Sequence, residues 1–152
     1  FYGSLNGLWG IPGCVFGGFL LDKIGKKGAP VLDIVCFAVM FVAAWILTGL
    51  NPSLYILHTV LTAVFPGLVL TAGNFLVPLC VDKPADIGYG IGVLGLFYSV
   101  GIFIGNPIIL YGVQMTGSWD TASMILSAVS ALGIVFMLVF IAITRKKEPI
   151  NG

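Results

Sequence analysis

The feature that most constrains this chain is the separation of its charged residues from its apolar residues. Charged residues make up only 9% of the 152 residues, hydrophobic residues make up 59%, and the mean hydropathy is +1.10. A typical soluble domain is about 25% charged. So few charges cannot cover a water-exposed surface. The sequence therefore predicts that lipid surrounds most of the chain.

The charges fall in short segments between long apolar runs, and this pattern sets the number of membrane spans. A helix needs about 20 apolar residues to cross a bilayer. Strands of a membrane barrel are only about 10 residues long and alternate in polarity, which does not fit these runs. The sequence predicts an all-α integral membrane protein, with a transmembrane bundle over residues 1–143 and a cytoplasmic tail over 144–152. Five spans are expected, at 4–21, 31–50, 54–81, 87–113 and 121–143.

The basic residues predict which way the spans run. All seven lie in three segments, after the first, third and fifth spans: Lys23, Lys26, Lys27, Lys83, Arg145, Lys146 and Lys147. The connections after the second and fourth spans contain none. Basic residues favour the cytoplasmic side of a membrane. We therefore expect these three segments and the C-terminus to be cytoplasmic, with the plasma membrane as the location.

Residues 18–27, with the sequence GFLLDKIGKK, form a tight basic loop between two apolar runs. The spacing G-x-L-x-D-K-x-G-K-K resembles the signature loop of the major facilitator superfamily, a family of secondary transporters. The order of features along the rest of the chain is similar too. A proline-bearing third helix is followed by an acid-and-proline loop, a glycine-rich fourth helix and a last helix that ends in basic residues.

This resemblance implies that the chain is five of the six helices in one half of a twelve-helix transporter. The five correspond either to helices two to six or to helices eight to twelve. We favour the C-terminal half, helices eight to twelve, because His58 stands where the first half of the family usually carries an arginine. The chain is then expected to be a fragment whose partner is the missing N-terminal half of the same protein.

The resemblance also implies a gating role for the loop. In the family, the loop's aspartate and basic residues help to lock the cytoplasmic faces of the two halves in the outward-open state. Carried onto this sequence, Asp22 is the locking acid, and its charge partners and the motif glycines are Lys23, Lys26, Lys27, Gly18 and Gly25. Gly25 also permits the positive-φ turn that so short a helical hairpin needs. The alternative is that the lysines only fix the topology.

Glycines on one face of a helix let two backbones approach closely in lipid. Such faces are predicted on the first and fourth spans, at Gly10, Gly13, Gly17, Gly101, Gly105 and Gly112.

Polar residues at membrane depth need partners or a wet cavity. Asn74, Ser99 and Asn106 are therefore predicted to line a substrate cavity, with interhelical hydrogen bonds as the alternative. The second span is almost wholly apolar and is expected to face lipid. Its Asp33 is expected to snorkel or to pair with a loop, and His58 is expected to be an interfacial residue that water reaches.

Together these features predict a secondary active transporter that moves a small solute by alternating access. A coupling ion, and the choice between symport and antiport, are left open. The alternative is a non-transporting membrane scaffold or sensor that keeps the fold. The sequence has no phosphate-binding loop, no metal-ligand spacing and no set of nucleophile and base. We therefore expect no enzymatic activity, no cofactor, no metal and no nucleic-acid partner.

Overall fold

A computed structural model of the protein describes residues 2–46 and 54–147, and this part of the chain is helical apart from short connections, without strands. The elements are α1 (Tyr2–Ile46), α2 (Tyr55–Cys80), a 3₁₀ turn (Pro84–Asp86), α3 (Ile87–Thr116) and α4 (Asp120–Lys147). Four helices in this part are long and apolar enough to cross a membrane. The described chain is thus an all-helical bundle of the kind found in multi-pass membrane proteins.

The helix α1 consists of two helical stretches that join at Gly25. This residue has φ 66° and ψ −175°, which is not helical. That region of backbone space is essentially open only to glycine. The positive φ predicted for Gly25 is confirmed.

Contacts with α2 show the direction of α1 before the break. A Cβ at Gly10 would lie 3.9 Å from the carbonyl oxygen of Ala63, and a Cβ at Gly17 would lie 3.1 Å from the Cβ of Thr71. Later residues of α1 meet later residues of α2. Residues 2–24 therefore run parallel to α2.

After the break the direction is opposite. Ala29 belongs to the same buried cluster as Ala72, whereas Ala43 lies against His58, near the start of α2. Residues 26–46 therefore run antiparallel to α2. The chain reverses at Gly25, so the two parts of α1 form a hairpin.

The last two helices continue this alternation. Ser123 contacts Ala44, and a Cβ at Gly133 would lie against the ring of Phe37, so α4 runs antiparallel to residues 26–46. The start of α3 packs against the end of α2, and its end packs against the start of α4. Between those contacts α3 stands apart, and none of its residues is buried.

The second span does not face lipid alone. One face of residues 26–46 is buried, with Ala29, Cys36 and Ala43 on it, whereas Val31 and Val42 are exposed on the other side. The reason is positional, because this segment packs against both α2 and α4. An apolar sequence fits a buried helix as well as a lipid-facing one.

The predicted helix bounds differ from the observed ones mainly around the hairpin. Residues 22–30 were predicted as a loop, but the backbone is helical there except at Gly25. Pro30 lies close to the start of the second stretch, where a missing N–H costs little. The helices α2, α3 and α4 begin within one residue of the predicted starts. The predicted end of the second span at Leu50 lies outside the described residues, as do residues 148–152 of the predicted tail.

Candidate functional site

Three charged segments of the chain meet at one end of the bundle. Leu21 and Ala29, on either side of Gly25, share a buried cluster with Leu76 near the end of α2. Phe140, near the end of α4, packs against the same cluster. The turn at Gly25, the connection that carries Lys83 and the C-terminal end of α4 are therefore neighbours. The seven basic residues belong to these three segments.

The side chains of the predicted gating loop lie on the outside of this end. Asp22, Lys23, Lys26 and Lys27 are all exposed. Gly18 has open space where a Cβ would be. The loop thus presents one acid and three bases at the surface of the bundle.

The predicted glycine face of the first stretch lies against α2. A Cβ at Gly13 would lie 2.5 Å from the carbonyl oxygen and 3.0 Å from the Cα of Val64. At Gly17 the nearest atoms belong to Leu68 and Thr71. No larger side chain fits at Gly13 unless the two backbones separate.

A glycine of α2 that the sequence reading did not single out completes this contact. A Cβ at Gly67 would lie 2.9 Å from the carbonyl oxygen of Gly10. The Cys14 thiol donates to the Gly67 carbonyl oxygen over 3.7 Å, and the Thr71 hydroxyl lies 3.5 Å from the Cys14 carbonyl oxygen. Small residues on both helices thus bring polar backbone atoms of one within reach of side chains of the other.

The predicted glycine face of α3 is only partly occupied. A Cβ at Gly112 would lie 3.2 Å from both Ile125 and Thr121 of α4. Gly101 and Gly105 have no atom within 4 Å of a Cβ, apart from their own helix, among the described residues. The middle of α3 touches no other helix in the described chain, so the packing role of these two glycines stays a prediction.

The structure does not bring the predicted cavity residues into one enclosed site. Asn74 is half-buried on α2, whereas Ser99 and Asn106 are exposed on α3. The two α3 residues lie in the stretch that no helix of the described chain covers. They are seven residues apart, which is about two helical turns, so they share one face of α3.

The buried polar side chains lie elsewhere, mostly on α4. Ser123, Ser127 and Ser130 are all buried. Ser123 donates a hydrogen bond of 2.6 Å to the carbonyl oxygen of Ala44. Ser130 donates to a carbonyl oxygen of its own helix, and Ser127 Oγ has no partner in the described chain. Their spacing of four and three residues marks one helix face, which the sequence alone could have indicated.

Asp33 does not snorkel, contrary to expectation. Its side chain is only 3% exposed. Its Oδ1 atom is buried and has no hydrogen-bond donor among the described residues. The cause is its register, since Ala29, Asp33 and Cys36 recur at the spacing of one helix face and all turn toward the bundle.

His58 also differs from the expected water-reached residue. It is half-buried, its Nδ1 atom is buried without a partner in the described chain, and its ring lies against the backbone of Ala43. Two helices, residues 26–46 and α2, therefore hold this ring between them.

The geometry defines a class of protein: a multi-pass helical membrane bundle with one basic end and a buried carboxyl inside. Comparison with protein-family models, with curated proteins and with solved structures finds no match to this chain. Its function is therefore argued from the bundle itself.

Proposed function

We propose that this chain is part of a secondary active transporter that moves a small solute across a membrane by alternating access. The observation that supports this most strongly is the reversal at Gly25. A straight helix over the 39 residues Leu8–Ile46 would be about 58 Å long. The hydrocarbon core of a bilayer is about 30 Å thick. The two parts of α1 on either side of Gly25 each have the length of one membrane crossing. Together with α2, α3 and α4, they make five crossings.

The sidedness of the charges supports an orientation. With five alternating crossings, the turn at Gly25, the α2–α3 connection and the C-terminal end of α4 fall on the same side. These segments carry all seven basic residues, and basic residues favour the cytoplasmic side. We therefore place this end and the C-terminus in the cytoplasm, and the protein in the plasma membrane.

The loop and the uncovered helix support a second, missing bundle of the same protein. Residues 18–27 resemble the signature loop of the major facilitator superfamily, in which two six-helix halves enclose the substrate. The middle of α3, with the polar residues Ser99 and Asn106, is covered by no helix in the described chain. A second half docked there would turn this polar face into the wall of a central cavity. The exposed Asp22 would then meet that half at the cytoplasmic end.

Alternating access makes a prediction about α3 that a static protein does not share. A cysteine introduced at Ser99 or Asn106 should react with a membrane-impermeant thiol reagent from one side at a time. A state that is open on one side is closed on the other, so the two reactivities should change in opposite directions. A non-transporting scaffold or sensor, the alternative, would leave both reactivities fixed.

The gate can be tested with Asp22→Asn, which keeps the size of the side chain and removes its charge. A carboxylate that meets the positive end of a helix contributes about 1 kcal/mol, so we expect a roughly fivefold change in the ratio of inward-reactive to outward-reactive Ser99→Cys protein. Asp86→Asn is the matched control, since Asp86 is exposed at the same end. Unchanged reactivity in Asp22→Asn, or an equal change in both variants, would contradict a specific gate at Asp22.

A further inference from the structure

The described part of the chain buries one charged side chain, the carboxyl of Asp33. The other buried polar groups are the serines of α4. Asp33 lies seven residues beyond Lys26, or about 10 Å along the helix, so it reaches well inside a hydrocarbon core about 30 Å thick. An ionisable residue at such a depth is costly and usually serves a function.

The surroundings of Asp33 are apolar. Ala29 and Cys36, one turn before and one turn after it on the same face, are fully buried. Oδ1 has no donor among the described residues. An ionised carboxylate oxygen with neither a donor nor a cation is strongly disfavoured in apolar surroundings. A cation that binds Oδ1 would remove this cost.

The available ligands decide which cation. Hard metal cations such as Ca²⁺ and Mg²⁺ take about six or more oxygen ligands. Among the described residues, no group of three His, Cys, Asp or Glu residues is placed to hold a metal ion. A proton needs no further ligand, because it bonds to the carboxylate oxygen itself.

Other titratable groups on the packed elements offer no substitute partner in the described contacts. They are Lys26, Lys27 and Cys36 on the same stretch, Cys14, Asp22 and Lys23 before Gly25, His58 and Cys80 on α2, and Asp120, Arg145, Lys146 and Lys147 on α4. Lys26 and Lys27 are exposed, and Cys36, Cys14 and His58 make no hydrogen bond to Asp33 in the described chain. Lys23 and Asp22 point outward at the basic end, while His58 and Asp120 lie toward the other end of the bundle.

We infer that Asp33 is a proton-binding site at membrane depth. The carboxylate oxygen gains a proton from water and returns it to water, and no other bond forms or breaks. The inference rests on the proposed transport function in one respect only: the bound proton would be the coupling ion. Proton binding itself can be measured without any substrate.

Infrared difference spectroscopy between alkaline and acidic pH tests this on the whole protein in lipid nanodiscs. A carboxylic acid without hydrogen bonds absorbs at a higher C=O frequency than one in water. We expect such a band on acidification, and we expect it to shift to lower frequency in D₂O. Asp33→Asn should abolish the band. Asp86→Asn, which changes an exposed carboxyl at the same end, should leave it in place.

Asp33→Glu keeps the experiment decisive if Asp33→Asn does not fold. The longer side chain moves the acid within the same apolar surroundings, so the band should remain but change frequency. A spectrum without the high-frequency band, or one in which Asp33→Asn or Asp33→Glu leaves it unaltered, would overturn the inference. These results do not depend on transport. If the high-frequency band is present but the reactivity of Ser99→Cys stays fixed, the proposed transport function is refuted and the proton-binding site at Asp33 is retained.

Discussion

At the scale of single residues, two glycines with positive φ differ in what they should tolerate. Gly25 has φ 66° and ψ −175°, and Gly117 has φ 67° and ψ 9°. The second conformation is left-handed helical, which asparagine also adopts. The first is essentially restricted to glycine. Neither position has an atom within 4 Å of a Cβ among the described residues, so substitution there tests the backbone alone.

We therefore predict that Gly25→Asn destabilises the bundle by about 1–3 kcal/mol, whereas Gly117→Asn costs less than about 1 kcal/mol. The measurement is thermal unfolding in detergent, in a background where Cys14 and Cys80 are replaced, followed with a thiol-reactive dye that reports exposure of the buried Cys36. Equal losses in the two variants would contradict the assignment of Gly25 as the strained turn.

The residue scale also shows what the sequence could and could not predict. The turn at Gly25 follows from a glycine among lysines between two apolar runs, which is local information. The burial of Asp33 is not local. An acid eight residues from a turn reads as a snorkelling side chain until the other helices are known to surround it.

At the scale of elements, α4 packs on residues 26–46 through small residues. The hydrogen bond from Ser123 to Ala44 is 2.6 Å long and fully buried, whereas Ser127 Oγ is buried without a partner in the described chain. Removing a satisfied hydroxyl and removing an unsatisfied one have opposite consequences. Substitution of these two serines therefore tests the contact between α4 and residues 26–46, with one variant as the control for the other.

We predict that Ser123→Ala lowers the free energy of unfolding by about 0.5–1.5 kcal/mol, with the lower end typical of membrane proteins. Ser127→Ala should leave the stability unchanged or raise it, because no hydrogen bond is lost. The same unfolding assay compares the two variants with the wild type. A larger loss for Ser127→Ala than for Ser123→Ala would show that α4 has a different register.

The contact between the first stretch of α1 and α2 depends on close backbone approach. We predict that Gly13→Ala costs about 1–3 kcal/mol, because the new methyl group would overlap the backbone of Val64 and force the helices apart. Gly18→Ala meets open space and should stabilise the helix by about 0.5–1 kcal/mol. Similar melting temperatures for the two variants would argue against this contact.

The middle of α3 shows the limit of a sequence-based prediction at this scale. Its glycines and its polar residues predict packing and a cavity, but a sequence does not state which helix supplies the other side. In the described chain α3 meets its neighbours only near its two ends. The predicted packing and cavity in the middle of α3 therefore depend on helices outside the described chain. The helix starts, by contrast, follow from proline and acidic residues placed at the breaks.

At the scale of the whole molecule, the proposed orientation and function depend on how many times the chain crosses the membrane and in which direction. Composition alone predicts lipid as the solvent, since 9% charged residues cannot cover a soluble surface. The sequence also predicts where the helices break. It does not predict which face of the second stretch of α1 packs against α2 and α4, because a helix that is apolar on all sides suits both lipid and a protein core.

Thiol labelling in intact cells tests the five crossings most directly. In a background without the three native cysteines, Lys26→Cys and Trp119→Cys are treated with a membrane-impermeant reagent before and after permeabilisation. We predict that Trp119→Cys reacts from outside, and that Lys26→Cys reacts only after permeabilisation. If Lys26→Cys reacts neither before nor after permeabilisation, residue 26 lies within the bilayer, as it would if α1 crossed the membrane only once. Reaction of Lys26→Cys from outside would reverse the orientation, and either result would contradict the account.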